Sequence, residues 1–148
     1  MAGTEKSLKA RAVDLLSRRE YSRLELKRRL ASFADSEEEV DALLDELAAK
    51  HWQSDSRFAE AFANSRGQRY GSRRLAQEMR ERGIDRDTIH AALAQQDDLA
   101  TARAIWQRKF GRPPADQQER LKQMRFLASR GFGMDIIQRV LRGQRDDE

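Results

Sequence analysis

Five positions of this chain recur at one fixed spacing. Tyr21, Leu26, Leu30, Val40 and Leu44 return as Tyr70, Leu75, Met79, Ile89 and Leu93, each displaced by 49 residues. Phe58, Phe62, Met79, Gly83, Ile84, Ile89 and Leu93 return as Trp106, Phe110, Leu127, Gly131, Phe132, Ile137 and Leu141, each displaced by 48. One offset held over five and then seven positions marks a tandem repeat. A copy of about 45 residues is too small to bury much apolar surface alone, so neighbouring copies must stack or share helices. Units that touch only their sequence neighbours build an elongated molecule.

Each copy reads as three helices. Leu8, Ala12, Leu15 and Leu16 lie on one helical stripe; Leu26, Leu30 and Phe33 form a second, and Val40, Leu43, Leu44 and Leu47 a third. Phe58 with Phe62, Leu75 with Met79, and Ile89 with Ala92 and Leu93 repeat the pattern in the second copy. Leu99, Ala102, Trp106 and Phe110, then Leu121, Met124 and Ala128, then Ile136, Ile137, Val140 and Leu141 complete the third. Ser22 with Glu25 and Ser36 with Glu39 have the spacing of capping boxes. Gly83 and Gly131 sit where a helix would end in a left-handed residue. "GRPPA" predicts a helix start at Pro114 or Ala115. The only prolines are Pro113 and Pro114, so little punctuates the chain for hairpins. The expected fold is all-α: three tandem three-helix (helix-turn-helix-like) repeats at 1–52, 53–97 and 98–148.

Most catalytic chemistry is missing. There is no cysteine, hence no disulfide, thiolate metal site or Cys nucleophile. No phosphate loop occurs, and "RGFGMDI" lacks the third glycine and preceding strand of a dinucleotide fingerprint. His51 and His90 have no ligand partner at metal-binding spacing. Glu37, Glu38 and Glu39 fall in a first helical turn, where carboxylates complement the macrodipole. The expectation is a non-enzyme with no cofactor and no metal. The longest apolar run is "AALA", Ala91 to Ala94, too short to span a bilayer, and "MAGTEKSLKAR" has no apolar leader core. A cytoplasmic protein that binds no membrane is expected.

The segment Leu75–Leu93 has the outline of a DNA-reading helix-turn-helix. Its second helix begins Asp85, Arg86, Asp87, which would turn two carboxylates to the duplex. The equivalent helices begin "SEEEVDALL" and "GMDIIQRVL", also poor readers. The geometry is better read as helix packing.

Charge is distributed unevenly. The net charge is +4; residues 1–50 carry ten Lys/Arg and eleven Asp/Glu, residues 51–96 eight and six, and residues 97–148 eleven and eight. Arg outnumbers Lys 23 to 6. That bias fits either a GC-rich genome or selection for planar, bidentate pairing with phosphate or carboxylate. Basic residues gather on the middle helices and their turns, and the candidate binding residues are Arg18, Arg19, Arg28, Arg29, Arg66, Arg69, Arg73, Arg74, Arg125 and Arg130. "SRGQRYGSRRL", Ser65 to Leu75, holds four of them with no acid between. Those guanidinium groups must be solvated, paired with distant carboxylates, or open to an anionic partner. Phe58, Phe62, Trp106 and Phe110 have core spacing. Tyr21 and Tyr70 precede helices in equivalent places, where packing suits them better than base stacking. Trp52 is placed to seal the joint between the first two copies.

"LLSRREYSRLELKRRL", "DSRFAEAFANSRGQRYGSRRLAQEMRERGI" and "RFLASRGFGMDIIQRVL" resemble the RecX family of bacterial regulators of the RecA recombinase. The resemblance runs from about Leu8 to Leu141. Asp55, Phe58, Ala59, Phe62, Arg66, Gly71, Leu75, Glu78, Gly83 and Ile84 fall at the family's positions, and Arg19, Tyr21, Ser22, Glu25, Leu26 and Leu30 add to them. Met79 departs from the family's usual Leu. The resemblance implies a curved body, monomeric by default, that binds in the groove of a RecA–single-stranded-DNA filament. It implies limits on filament growth, strand exchange, ATP hydrolysis and co-protease activity, and so a part in homologous recombination, DNA repair and the SOS response. The alternative is a stand-alone, non-specific DNA-binding helical-repeat protein.

Overall fold

Caps and apolar periodicity set the helices locally. The structure, a computed structural model, describes residues 5–143. Along them run α1 (Leu8–Leu16), α2 (Arg23–Leu30), α3 (Glu37–Ala49), α4 (Asp55–Arg66), α5 (Ser72–Glu81), α6 (Arg86–Leu93), α7 (Asp98–Lys109), α8 (Gln117–Ser129) and α9 (Met134–Arg142). A 3-10 turn, Ala31–Phe33, follows α2, and no strand occurs among the described residues. The chain is all-α, as expected. Residues 1–4, which begin the stretch expected to lack a leader, and residues 144–148, inside the expected third repeat, lie outside the described residues.

The Ser22–Glu25 box forms in full. The Ser22 hydroxyl accepts the Glu25 N–H at 3.1 Å, and the Glu25 carboxylate accepts the Ser22 N–H at 3.0 Å. The box expected at Ser36 is altered. Ser36 accepts the Glu39 N–H at 3.2 Å, but the Glu39 carboxylate reaches past it to the Asp35 N–H at 2.9 Å. α8 begins later than expected, at Gln117, because Asp116 accepts the Glu119 N–H at 2.8 Å and starts the helix beyond both prolines.

The chain packs as two compact units, Met1–Ala61 with Met79–His90, and Phe62–Glu78 with Ala91–Glu148. The first has a core of Ala12, Tyr21, Leu26, Leu30, Val40, Leu43, Leu44 and Leu47, with Leu8, Leu15, Leu16 and Ala34 packed against it. The second is built on Ala102, Ile105, Trp106, Leu127, Phe132, Ile137, Val140 and Leu141. Each is the inner face of one helical triplet, α1–α3 or α7–α9.

Four apolar positions lie further out than expected, three of them placed by periodicity. Phe33 is 55% exposed because the chain tightens into the 3-10 turn before reaching it. Leu121 and Ala128 face outward, and α8 buries Gln123 and Leu127 instead. Trp52 is 46% exposed, with the Lys50 and Lys9 ammonium groups 4.9 and 5.6 Å from its ring centre.

The same joint is built once in each unit. In the first, the Ser22 hydroxyl donates to the Arg82 carbonyl at 2.8 Å, and Gly83, at φ +80°, lies against Leu24. In the second, the Gly71 N–H donates to the Arg130 carbonyl at 2.8 Å and the Arg73 N–H to the Gly131 carbonyl at 3.2 Å. Gly131, at φ +98°, lies against Arg74; a Cβ here would collide with the Arg74 Cβ and stand 2.8 Å from its backbone nitrogen. Each glycine therefore serves a left-handed turn and a close approach together. The start of each of these middle helices, α2 and α5, docks on the turn one copy further along the chain.

A side-chain latch repeats beside each joint. The Gln53 amide donates to the Tyr21 carbonyl at 3.3 Å, and the Asp55 carboxylate accepts the first N–H of α2, from Arg23, at 2.9 Å. The Gln96 amide donates to the Tyr70 and Gly67 carbonyls at 3.3 and 2.8 Å, and Asp98 accepts the first N–H of α5, from Ser72, at 3.1 Å.

Candidate anion-binding face

The turn after α4 places Tyr70 immediately before α5, held by its N–H to the Arg66 carbonyl at 3.2 Å and by the Gln96 latch. Three guanidinium groups surround its half-buried ring. Arg74 lies 3.8 Å from the ring centre, Arg130 5.7 Å and Arg69 5.8 Å. Arg130 arrives from the end of α8 because the Gly71–Arg130 backbone bond ties the two turns together. It also lies 5.1 Å from the Phe126 ring centre, with Lys109 at 5.4 Å from the same ring. Phe126 meets Phe110 edge-on at 5.4 Å and 89°. Cations and aromatic rings thus alternate from Arg69 to Lys109.

Acids contribute little here. Arg74 reaches Glu78 at 3.9 Å, and its second contact is the neutral Ser129 carbonyl at 3.3 Å. Arg130 donates to the Arg69 carbonyl at 3.4 Å. Arg66, Arg69, Arg73, Arg125 and Arg130 form no ion pair with a described carboxylate; Arg66 instead lies 4.1 Å from the Phe62 ring centre. A ring face holds a cation in place without cancelling its charge. The face therefore stays positive while ring contacts order its side chains.

The expected residues of the first unit behave differently. Arg18 pairs with Asp14 at 3.2 Å, and Arg19 with Glu25 at 3.3 Å while lying 3.6 Å from the Tyr21 ring centre. Arg29 donates to the Tyr21 hydroxyl at 3.3 Å, and Arg28 is exposed with no described ion-pair partner. Tyr21 is 5% exposed, which fits the packing role expected of it.

So the structure brings Arg69, Arg74 and Arg130 together around Tyr70. Arg73 is exposed near Gly133, and Arg125 lines a depression with Lys122, its neighbour on the same basic middle helix, and with Lys109 and Arg112, two cations that sequence reasoning missed. It also missed the two latches, whose signal is the Gln-x-Asp tripeptide at 53–55 and again at 96–98. Among the described residues no three His, Cys, Asp or Glu are grouped to hold a metal ion, and no helix is long and apolar enough to cross a membrane.

Known proteins are similar to this chain. Residues 54–93 match the model of the second three-helix domain of RecX, and residues 96–141 that of the third. Regulatory protein RecX of Chromobacterium violaceum is 65% identical over 148 residues, covering 100% of this chain and 97% of that protein. The protein of the same name from Ralstonia nicotianae is 48% identical, covering 93% and 87%. That of Neisseria meningitidis serogroup B is 46% identical, covering 97% and 94%. Among solved structures, RecX from Lactobacillus salivarius superposes with a TM-score of 0.78 over 91% of this chain and 92% of that one, at 19% identity. A second RecX crystal structure gives 0.75 over 95% and 72%, at 20% identity. At such identity the two structures bear on the fold alone.

Proposed function

This chain belongs to the RecX family, and from that premise we propose that it restrains the RecA recombinase by binding in the groove of the RecA–single-stranded-DNA filament. Bound there, it limits filament growth, strand exchange, ATP hydrolysis and co-protease activity, and so modulates DNA repair and the SOS response. On this reading it acts in the cytoplasm as a monomer of three repeats, 1–52, 53–97 and 98–148, and has no catalysis of its own.

The observation that carries the reading is the Arg69–Arg74–Arg130 cluster on Tyr70, ordered by aromatic faces rather than neutralised by acids. Such a surface suits a polyanion or an acid-lined protein groove. Each exposed contact contributes little, but several together make binding steeply salt-dependent.

The test is the double reversal Arg69→Glu with Arg73→Glu, two exposed side chains in no described ion pair. With circular dichroism unchanged, roughly tenfold more of this variant should be needed to halve RecA ATPase on single-stranded DNA. Inhibition at the wild-type concentration would remove this face from the contact. The stand-alone DNA binder is the second reading, favoured by the same face. It predicts equal affinity for naked DNA and for filament, whereas the first predicts preference for the filament.

A further inference from the structure

Between the end of α7 and the start of α8 lies a cleft of about 710 Å³, all of it within the second unit. Four cations line it: Lys109 closing α7, Arg112 in the loop, and Lys122 and Arg125 on α8. The last two are three residues apart and share a helix face. All four are exposed, and none forms an ion pair with a described carboxylate.

The cleft is firmly built. Gln123, 2% exposed, accepts the Trp106 indole N–H at 2.8 Å and donates to the Arg112 carbonyl at 3.1 Å. One buried amide therefore pins the Arg112 loop to both helices. Phe110 lines the cleft as well, braced edge-on by Phe126. Asp116 and Glu119 also face it, yet both are engaged at the start of α8. Asp116 accepts the Glu119 N–H at 2.8 Å, and Glu119 accepts the Gln123 amide at 3.4 Å.

We propose that this cleft holds backbone phosphates of single-stranded nucleic acid. Cations beside an aromatic ring suit a nucleotide, which offers a phosphate to one and a base face to the other. An acidic peptide would meet the cations through its carboxylates but would offer no base to stack on the ring. The planar forks of Arg112 and Arg125 match phosphate oxygens bidentately. The two carboxylates hold the local charge to a modest excess, so a polymer binds through several contacts and an isolated nucleotide only weakly. The cleft continues the cation–aromatic series through Lys109, which shares the Phe126 ring with Arg130. This deepens the reading above, on which its biological sense rests, by assigning the nucleic-acid share of the contact to one place.

The experiment titrates the protein into a fluorescein-labelled oligo-dT without RecA, by anisotropy, across a range of NaCl concentrations. Lys122→Gln with Arg125→Gln is compared with wild type and with Arg108→Gln/Arg139→Gln, which removes equal charge from exposed positions outside the cleft. Each lost phosphate contact removes about 0.7 from the slope of log K against log salt. The cleft variant should therefore bind at least roughly tenfold more weakly at low salt, with a slope shallower by about 1.4. The control should match wild type. An unchanged slope in the cleft variant, an equal loss in the control, or competition by poly-glutamate as effective as by oligo-dT overturns the proposal.

RecA ATPase inhibition by wild type is measured in parallel. Inhibition with an unchanged slope means that the cleft fails and the regulatory reading stands. Loss of slope in the cleft variant, with no inhibition by wild type, means the reverse.

Discussion

The two units hold similar numbers of basic residues in different ways. In the first, Arg23 meets Asp45 at 2.9 Å, Lys27 meets Glu37 at 2.8 Å and Asp41 at 3.1 Å, and Arg57 meets Glu20 at 2.7 Å. Lys9 and Lys50 share Glu46 at 2.6 and 3.0 Å. In the second, Arg69, Arg74, Arg130 and Lys109 lie against Tyr70 and Phe126. Acid pairing spends the charge inside the molecule, whereas a ring face leaves it available. One repeated scaffold thus carries a region in which acids take up many of the cations and another in which rings order them with little acid pairing.

The joints sharpen this comparison most. Gly131 and Gly83 occupy the same place in their turns, but a Cβ at Gly131 meets the Arg74 backbone, whereas at Gly83 it meets only the Leu24 side chain, at 2.8 Å from Cβ. Either Ala substitution adds about 1 kcal/mol of left-handed strain. Gly131→Ala should cost roughly 2–4 kcal/mol in all, because overpacking against backbone has no easy relief. Gly83→Ala should cost less, roughly 1–3 kcal/mol, since its closest approach, to the Leu24 Cβ, is longer and involves no backbone atom, while the rest of the Leu24 side chain can rotate aside. Urea denaturation of both variants measures the difference, and equal losses would mean that the two joints are mechanically alike.

Next in size is the buried amide of the second unit. Gln123→Ala strands the Trp106 N–H and the Arg112 carbonyl and should cost about 1–3 kcal/mol. Because the Arg112 loop loosens, oligo-dT affinity should fall as well. Gln53→Ala, its buried counterpart in the first unit, should destabilise by about 1 kcal/mol and leave oligo-dT affinity unchanged. A matching drop in DNA binding for both variants would erase the proposed division of labour.

The smallest effect is in acid. The Thr88 backbone N–H holds the Asp85 carboxyl below its usual range, and hydrogen bonds from Lys9 and then Lys50 do the same for Glu46. Both belong to the first unit. A lowered folded-state pKa means stabilisation that is full above the ordinary carboxylate range, about 4, and is lost as pH falls through the lowered value. The side chains of Lys9, Glu46 and Lys50 are 41–44% exposed, so salt screens the effect. Amide exchange followed by NMR should therefore show α3 and α6 loosening before α8 and α9 as pH drops below about 4. The reverse order would be incompatible with acid pairing as the feature that distinguishes the first unit.

Much of the helical pattern was legible in advance. The Ser22–Glu25 box, the glycine stops and most core residues follow from rules acting within one turn of helix. The misses have one origin. Gln123 is polar and lies on the buried face of α8, where period counting favours Leu121 and Ala128; only the Trp106 indole and the Arg112 carbonyl make its burial affordable. Phe33 broke the helical period through a change of backbone at Ala31. Pairing was the least legible property. Arg19 and Arg69 each lie close to a tyrosine in sequence, yet Arg19 finds a carboxylate and Arg69 does not.

From the chain alone came the helices, their threefold recurrence, the absence of cysteine chemistry and the likeness to RecX, because short-range periodicity and residue type carry that information. Folding decided which positive charges remain unspent. Arg130 reaches Tyr70, and Lys109 reaches Phe126, across separations that no local rule encodes. An electrostatic partner is set by distance in space, and that distance exists only once the turns have docked.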